Sequence, residues 1–186
     1  MIVNSNFLTN RKIDRSGIIP YTNLDGEMYF LLAEDSYTGE LGDFGGGSKY
    51  KESGLDTAKR EFEEESKGIF KSEYPNIGFF SNKISVIDKN MAITFVYINP
   101  EWKTENRAIK LFHANKGPND EISDIVWVNK STFEKLVQNR KVCVNFKTLK
   151  MWKKVRHFFK AIKGGMEPED KCKVPKGYTV EKIHAL

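Results

Sequence analysis

Cysteine and histidine are scarce in this chain of 186 residues, which has two of the first and three of the second. Cys143 and Cys172 supply neither a disulfide framework nor the paired spacing of a zinc site, and His113, His157 and His184 are scattered. Long apolar runs are missing too. Residues 91–98 form one of the longest, far short of the roughly 20 needed for a membrane helix. The opening stretch, MIVNSNFLTNRKIDR, lacks the basic, apolar and small-residue order of a signal peptide. No repeat or low-complexity tract is present. These absences set aside disulfide scaffolds, zinc centres and membrane spans, and make a reducing, cytoplasmic setting the expectation.

What the chain does have is concentrated in residues 46–68, GGSKYKESGLDTAKREFEEESKG. Positions three and four apart are neighbours on a helix, so a helix over residues 56–66 carries Glu61, Glu64 and Glu65 on one face. Three converging carboxylates repel one another, and a hard divalent cation such as Mg²⁺ or Mn²⁺ removes that repulsion. Leu55, Ala58 and Phe62 make a separate apolar stripe, so the same helix can pack while presenting its acids. Gly45, Gly46 and Gly47 precede it, where bare backbone can approach a phosphate and the Gly46 carbonyl can join the ligands. The pattern predicts a metal-binding catalytic helix.

Written out, five residues separate Gly46 from Glu52, seven separate Glu52 from Arg60, and Arg60 opens the run Arg-Glu-Phe-Glu-Glu-Glu. This spacing resembles the Nudix box. The resemblance implies a Nudix hydrolase, which cleaves a phosphoanhydride in a nucleoside diphosphate linked to another group. It also implies an α+β fold, an α/β/α sandwich with a mixed central sheet, and Mg²⁺ or Mn²⁺ held by Glu61, Glu64 and Glu65. Arg60 is expected a quarter-turn away from the acids, holding Glu52 through a bidentate pair. One departure concerns Lys67 and Gly68, where the family has glycine and then an apolar residue. A helix end displaced by one residue, with Gly68 as left-handed cap and Ile69 as the apolar position, accounts for it.

Around the box, residues 15–22 and 27–33 read as a hairpin, as do residues 83–87 and 91–98, and residues 121–128 read as a further strand. A short helix is expected over residues 131–138 with Ser131 as N-cap. Over residues 145–163, Leu149, Trp152, Val155, Phe159 and Ile162 share one helical face, opposite Lys147, Lys150, Lys153, Lys154 and Lys160. The organisation expected is a core domain over residues 1–140, a basic amphipathic helix over 141–165 and a tail over 166–186, whose Val180, Ile183 and Leu186 can dock on the domain.

Hydrolysis of a phosphoanhydride needs positive charge at the phosphate, an activated water and a fixed in-line geometry. A general base from outside the box is expected at Glu121, with Asp120 and Asp124 as competitors. The segment from Asn119 to Trp127 resembles that of the mRNA-decapping Nudix enzymes, in which the corresponding glutamate acts on the attacking water. Stand-alone decapping enzymes of large DNA viruses share a similar box and segment. Together with the five lysines, this resemblance makes capped RNA the leading expected substrate, its body held by Lys147, Lys150, Lys153, Lys154 and Lys160. Against it, Gly46-Gly47 stands where decapping enzymes carry Gly-Lys, and the triple glycine is closer to the diphosphoinositol and dinucleoside polyphosphate branches. A third reading is a binding module of the same fold without turnover, although all the box acids are present here.

Overall fold

The computed structural model describes residues 1–75 and 78–164. Its strands are β1 (Ile2–Asn4), β2 (Arg15–Leu24), β3 (Glu27–Asp35), β4 (Leu41–Gly42), β5 (Phe44–Gly47), β6 (Ile84–Asp88), β7 (Met91–Tyr97), β8 (Ile122–Asn129), β9 (Val142–Val144) and β10 (Lys147–Leu149). Its helices are α1 (Gly54–Glu65), α2 (Glu101–Thr104), α3 (Arg107–Ala114), α4 (Lys130–Val137) and α5 (Lys153–Gly164). The main sheet runs β1-β6-β7-β2-β3-β4, with β5 also on β2 and β8 also on β3. Only the β2–β7 pair within it is parallel, so the sheet is mixed.

Strand alternation divides the core between the two faces. Ile19, Phe30 and Leu32 point to the side covered by α4 and α5, where they meet Phe133, Leu136, Val155, Phe158 and Phe159. Their neighbours Ile18, Leu31 and Ala33 point to the side covered by α1 and α3, where they meet Ala58, Phe62 and Phe112. This is the expected α/β/α sandwich. Among the described residues no helix is long and apolar enough to cross a membrane.

The sheet forks where the site lies. The C-terminal half of β2, from Tyr21, pairs with β3 through the two-residue turn Asp25-Gly26, both left-handed (φ 52° and 80°). The N-terminal half, Arg15 to Ile18, pairs with β5 instead. β5 therefore sits in the cleft between the diverging β2 and β3 and feeds directly into α1.

Three expectations are corrected. The helix expected over residues 145–163 is a hairpin, β9–β10, followed by α5 from Lys153. Its turn residues Asn145 and Phe146 are both left-handed (φ 50° and 63°), which a right-handed helix does not accommodate. The cap of α4 is Asn129, whose side chain accepts from Thr132 N at 2.8 Å, and Ser131 lies inside the helix. α1 begins two residues before the expected start, because Ser53 and Asp56 form a reciprocal capping box. β1, the 3₁₀ turn Ser5–Asn10, α2 and α3 add elements that periodicity did not reveal. The expected tail over 166–186 lies outside the described residues.

Candidate active site

α1 is held at its start by the Ser53 cap and along its length by Leu55, Ala58 and Phe62, which are 3% exposed or less. That anchoring turns its acidic face toward β5. Arg60 lies at the centre of the arrangement. Its Nε and Nη2 donate to the two Glu52 oxygens at 2.9 and 3.1 Å, as expected of a bidentate pair. Nη1 donates to Glu61 at 2.7 Å and to Glu64 at 3.3 Å, and Nη2 also donates to the Gly47 carbonyl at 2.9 Å. Arg60 thus does not turn away from the acids: one guanidinium ties the loop before α1 to two acids on it. The hydrogen bonds it donates to Glu52, then the one to Glu61, outweigh its partial burial and raise its pKa above the ordinary arginine value. The bond from Arg60 holds Glu52 below the usual carboxylate range.

Glu65, one turn further on, is buried and accepts from Gly45 N at 2.9 Å. Burial, then the charges of Asp43 and Glu61, push its carboxyl up to about 9, against the Gly45 amide and Arg15. A Cβ on Gly46 would come within 2.5 Å of the Glu61 carboxylate, so glycine there lets the acid lie against the backbone.

Beneath Glu65 is a pair the sequence reading missed. Arg15 donates through both terminal nitrogens to Asp43, each at 2.8 Å, and the Asp43 side chain is fully buried. Burial works against the Arg15 charge, but Asp43 and, more weakly, Glu65 and Glu61 outweigh it, so its pKa is raised. Gly17 and Gly45 face each other across β2 and β5, and a Cβ on either would collide with the Asp43 carboxylate. The only sequence signal for this pair is an acid lodged among glycines in Gly42-Asp43-Phe44-Gly45.

A cavity of about 520 Å³ opens over these groups, with Arg15, Asp43, Glu65, Glu121, Trp152 and Lys154 in its wall. Glu121 is exposed in the bend just before β8, and of the three acids considered for the base it alone lines the cavity. Asp120 is exposed outside it, and Asp124 is engaged by His113 at 3.0 Å. The lysines do not act as one face. Lys153, Lys154 and Lys160 are exposed on α5, Lys150 precedes it, and Lys147 is on β10, bonded to Glu34. Only Lys154 reaches the cavity wall.

The end of α1 also differs from expectation. Gly68 is left-handed (φ 67°) and Ile69 is buried, as anticipated, but Lys67 is left-handed as well (φ 57°). Lys67 thus takes on backbone strain at the position where the box has glycine. Its ammonium donates to the Phe112 carbonyl at 3.2 Å and sits 3.9 Å from the Phe112 ring centre, contacts that hold it there.

Whether the residues suit a divalent cation rests on their chemistry. Among the described residues, no three His, Cys, Asp or Glu side chains stand at ligand spacing. The donors on α1, Glu61, Glu64 and Glu65, are nonetheless hard carboxylate oxygens, the kind that Mg²⁺ and Mn²⁺ take. The donor set fits Mg²⁺ or Mn²⁺, with Arg60 engaging Glu61 and Glu64 meanwhile.

No family model matches the chain, and no curated protein matches it. Among solved structures, a C. elegans Ap4A hydrolase in a binary complex is similar at 14% identity over 82% of this chain and 98% of that one, with a TM-score of 0.41. Another structure of C. elegans Ap4A hydrolase is similar at 12% identity over 66% of this chain and 84% of that one, with a TM-score of 0.36.

Proposed function

We propose that this protein is a divalent-metal-dependent Nudix pyrophosphohydrolase that cleaves the phosphoanhydride of a nucleoside diphosphate linked to another group. The observation that carries the reading is the Arg60 network, in which Glu52, Glu61, Glu64 and the Gly47 carbonyl meet one guanidinium while Glu65 lies on the Gly45 amide. Box spacing alone is a pattern of letters; a plain acidic helix face gives no reason for those groups to converge.

Glu61 and Glu65 would hold the cation, with Glu64 and the Gly46 carbonyl as further donors. When bound, Mg²⁺ or Mn²⁺ supplies positive charge at the phosphate and lowers the pKa of water. Arg60 positions Glu61 and Glu64 and keeps the loop at Glu52 closed on the helix. Arg15 neutralises Asp43 beneath the site. Glu121, on the cavity wall, takes the proton of the attacking water as the oxygen adds to phosphorus and the anhydride oxygen leaves with the departing phosphate. Glu65→Gln is expected to abolish turnover and keep the fold.

For the substrate, the cavity is of nucleotide size, and with a cation bound among its acids its Arg15 and Lys154 would suit a polyanion such as a dinucleoside polyphosphate. Capped RNA stands as a second reading, favoured by the exposed Lys153, Lys154 and Lys160 on α5 and weakened by the placement of Lys147 and Lys150 off that helix. Diphosphoinositol polyphosphate would use the same cations. A turnover screen with Mg²⁺ and with Mn²⁺ separates these readings. Release of m7GDP from long RNA but little from free cap supports decapping, and preference for a diadenosine polyphosphate supports the small-substrate reading. Cleavage of none of them leaves a binding module.

A further inference from the structure

We infer that Trp152 is a nucleobase-stacking wall of the candidate active-site cavity, so that the site takes ligands combining an aromatic base with a phosphate. The inference rests on the nucleotide reading above and deepens it. Three aromatic side chains lie in or just before α5, and their environments separate them. Phe158 and Phe159 are 3% and 1% exposed and belong to the core, whereas Trp152 remains 37% exposed. Among the described residues, Trp152 alone gives an aromatic ring to the cavity wall.

Its backbone is fixed to the site. Trp152 N donates to the Leu41 carbonyl at 2.8 Å, Leu41 N donates to the Lys150 carbonyl at 2.7 Å, and Leu41 and Met151 form a parallel bridge. Leu41 opens β4, two residues before Asp43, so the ring is presented from the same stretch of chain that places the glycines and the buried acid. The Arg15 guanidinium lies 5.1 Å from the ring centre and the Lys154 ammonium 5.7 Å from it. A partly exposed aromatic ring with two cations over it, in the wall of one cavity with Glu65 and Glu121, matches the two chemical halves of a nucleotide: a base to stack on the open part of the ring and a phosphate to pair. A Trp serving only to shield Arg15 and Asp43 would be indifferent to the base.

The test is a calorimetric titration of the full chain with AMP and with ribose 5-phosphate, which differ by the base, using wild type, Trp152→Ala and Trp152→Phe. Stacking on one ring predicts that wild type prefers AMP by about five- to a hundredfold. Trp152→Ala should lose that preference and Trp152→Phe should keep most of it, with all three giving the same circular-dichroism spectrum. For any base-bearing substrate that is turned over, Trp152→Ala should raise KM by a similar factor and leave kcat within about twofold. Equal affinity of wild type for the two ligands, no AMP binding at millimolar concentration, or an undiminished preference in Trp152→Ala overturns the inference. A screen in which no phosphoanhydride is cleaved defeats the hydrolase reading alone, because the titration needs no turnover.

Discussion

Along residues 44–65, one guanidinium gathers three carboxylates and a backbone carbonyl, and a fourth acid is pinned by a strand amide. Along residues 142–162, five lysines are spread over a strand, a connector and a helix, and only Lys154 of them faces the cavity. Both stretches are dense in charge. In the first, Glu52, Arg60, Glu61 and Glu64 set one another's positions, so altering one displaces its neighbours. In the second, most charges stand in water, where screening makes each worth little. Density of charge therefore does not locate chemistry; convergence does.

The largest effect that would break this contrast is expected at Glu65. Glu65→Gln removes a buried oxygen donor where the positive charge must sit, and kcat should fall by about a thousandfold, on the scale seen when one fixed electrostatic contact to a reacting group is lost. Saturating Mn²⁺ should raise the melting temperature of wild type by several degrees, since a ligand at a hundred times its Kd adds about 2.7 kcal/mol, and should raise that of Glu65→Gln much less. Wild-type rates in the variant would remove the metal assignment.

Next is the buried pair. Asp43→Asn leaves the Arg15 charge without its carboxylate in a site only 10% open, and should cost about 3–5 kcal/mol of stability by denaturant titration. Replacing both with apolar residues of similar volume should cost less than either single change. A loss below about 1 kcal/mol for Asp43→Asn would mean that the pair is wetter than its geometry indicates.

How legible each region was in the sequence follows from the same contrast. The box could be read because Gly46, Glu52 and Arg60 to Glu65 are close in sequence, and a helix converts spacing into a face without help from the rest of the fold. Arg15 and Asp43 could not, since they are 28 residues apart and meet only because the β2–β5 register sets Gly17 against Gly45. The C-terminal misreading has a local cause. Leu149 and Val155 obey a helical wheel by coincidence, since Leu149 is buried from a strand, and two left-handed residues at Asn145 and Phe146 decide for a hairpin. The sandwich itself was legible, because unbroken apolar stretches such as Ile18-Ile19 and Phe30-Leu31-Leu32-Ala33 mark strands covered on both faces, a property of consecutive residues.

A smaller effect is expected at Arg60, which positions ligands without being one. Arg60→Met should lower kcat/KM by about ten- to a hundredfold, the range for losing a group that orients metal ligands. Arg60→Lys should recover only part of it, because an ammonium cannot make the fork that engages both Glu52 oxygens while reaching Glu61. Full activity in Arg60→Lys would show that charge alone suffices and that convergence is incidental.

The smallest effects belong to the lysines, and they sharpen the contrast by splitting its second half. Lys153→Ala and Lys160→Ala remove exposed charges on α5 and should each change stability by no more than about 0.5 kcal/mol. With a small nucleotide substrate, both should also leave kcat/KM within about twofold in 0.15 M salt, where charges beyond about 8 Å are screened. Lys154→Ala should instead raise KM severalfold, because its side chain is part of the cavity wall beside Trp152 and Arg15. A long RNA reverses the ranking: each phosphate-contacting lysine lost reduces the slope of log K against log salt by about 0.7 to 0.9, so a combined Lys150, Lys153 and Lys154 replacement should flatten it by about 2 to 3. If the slope is unchanged, the basic face of α5 does not hold RNA, and the helix serves to bury Val155, Phe158 and Phe159 against the sheet while setting Lys154 at the cavity.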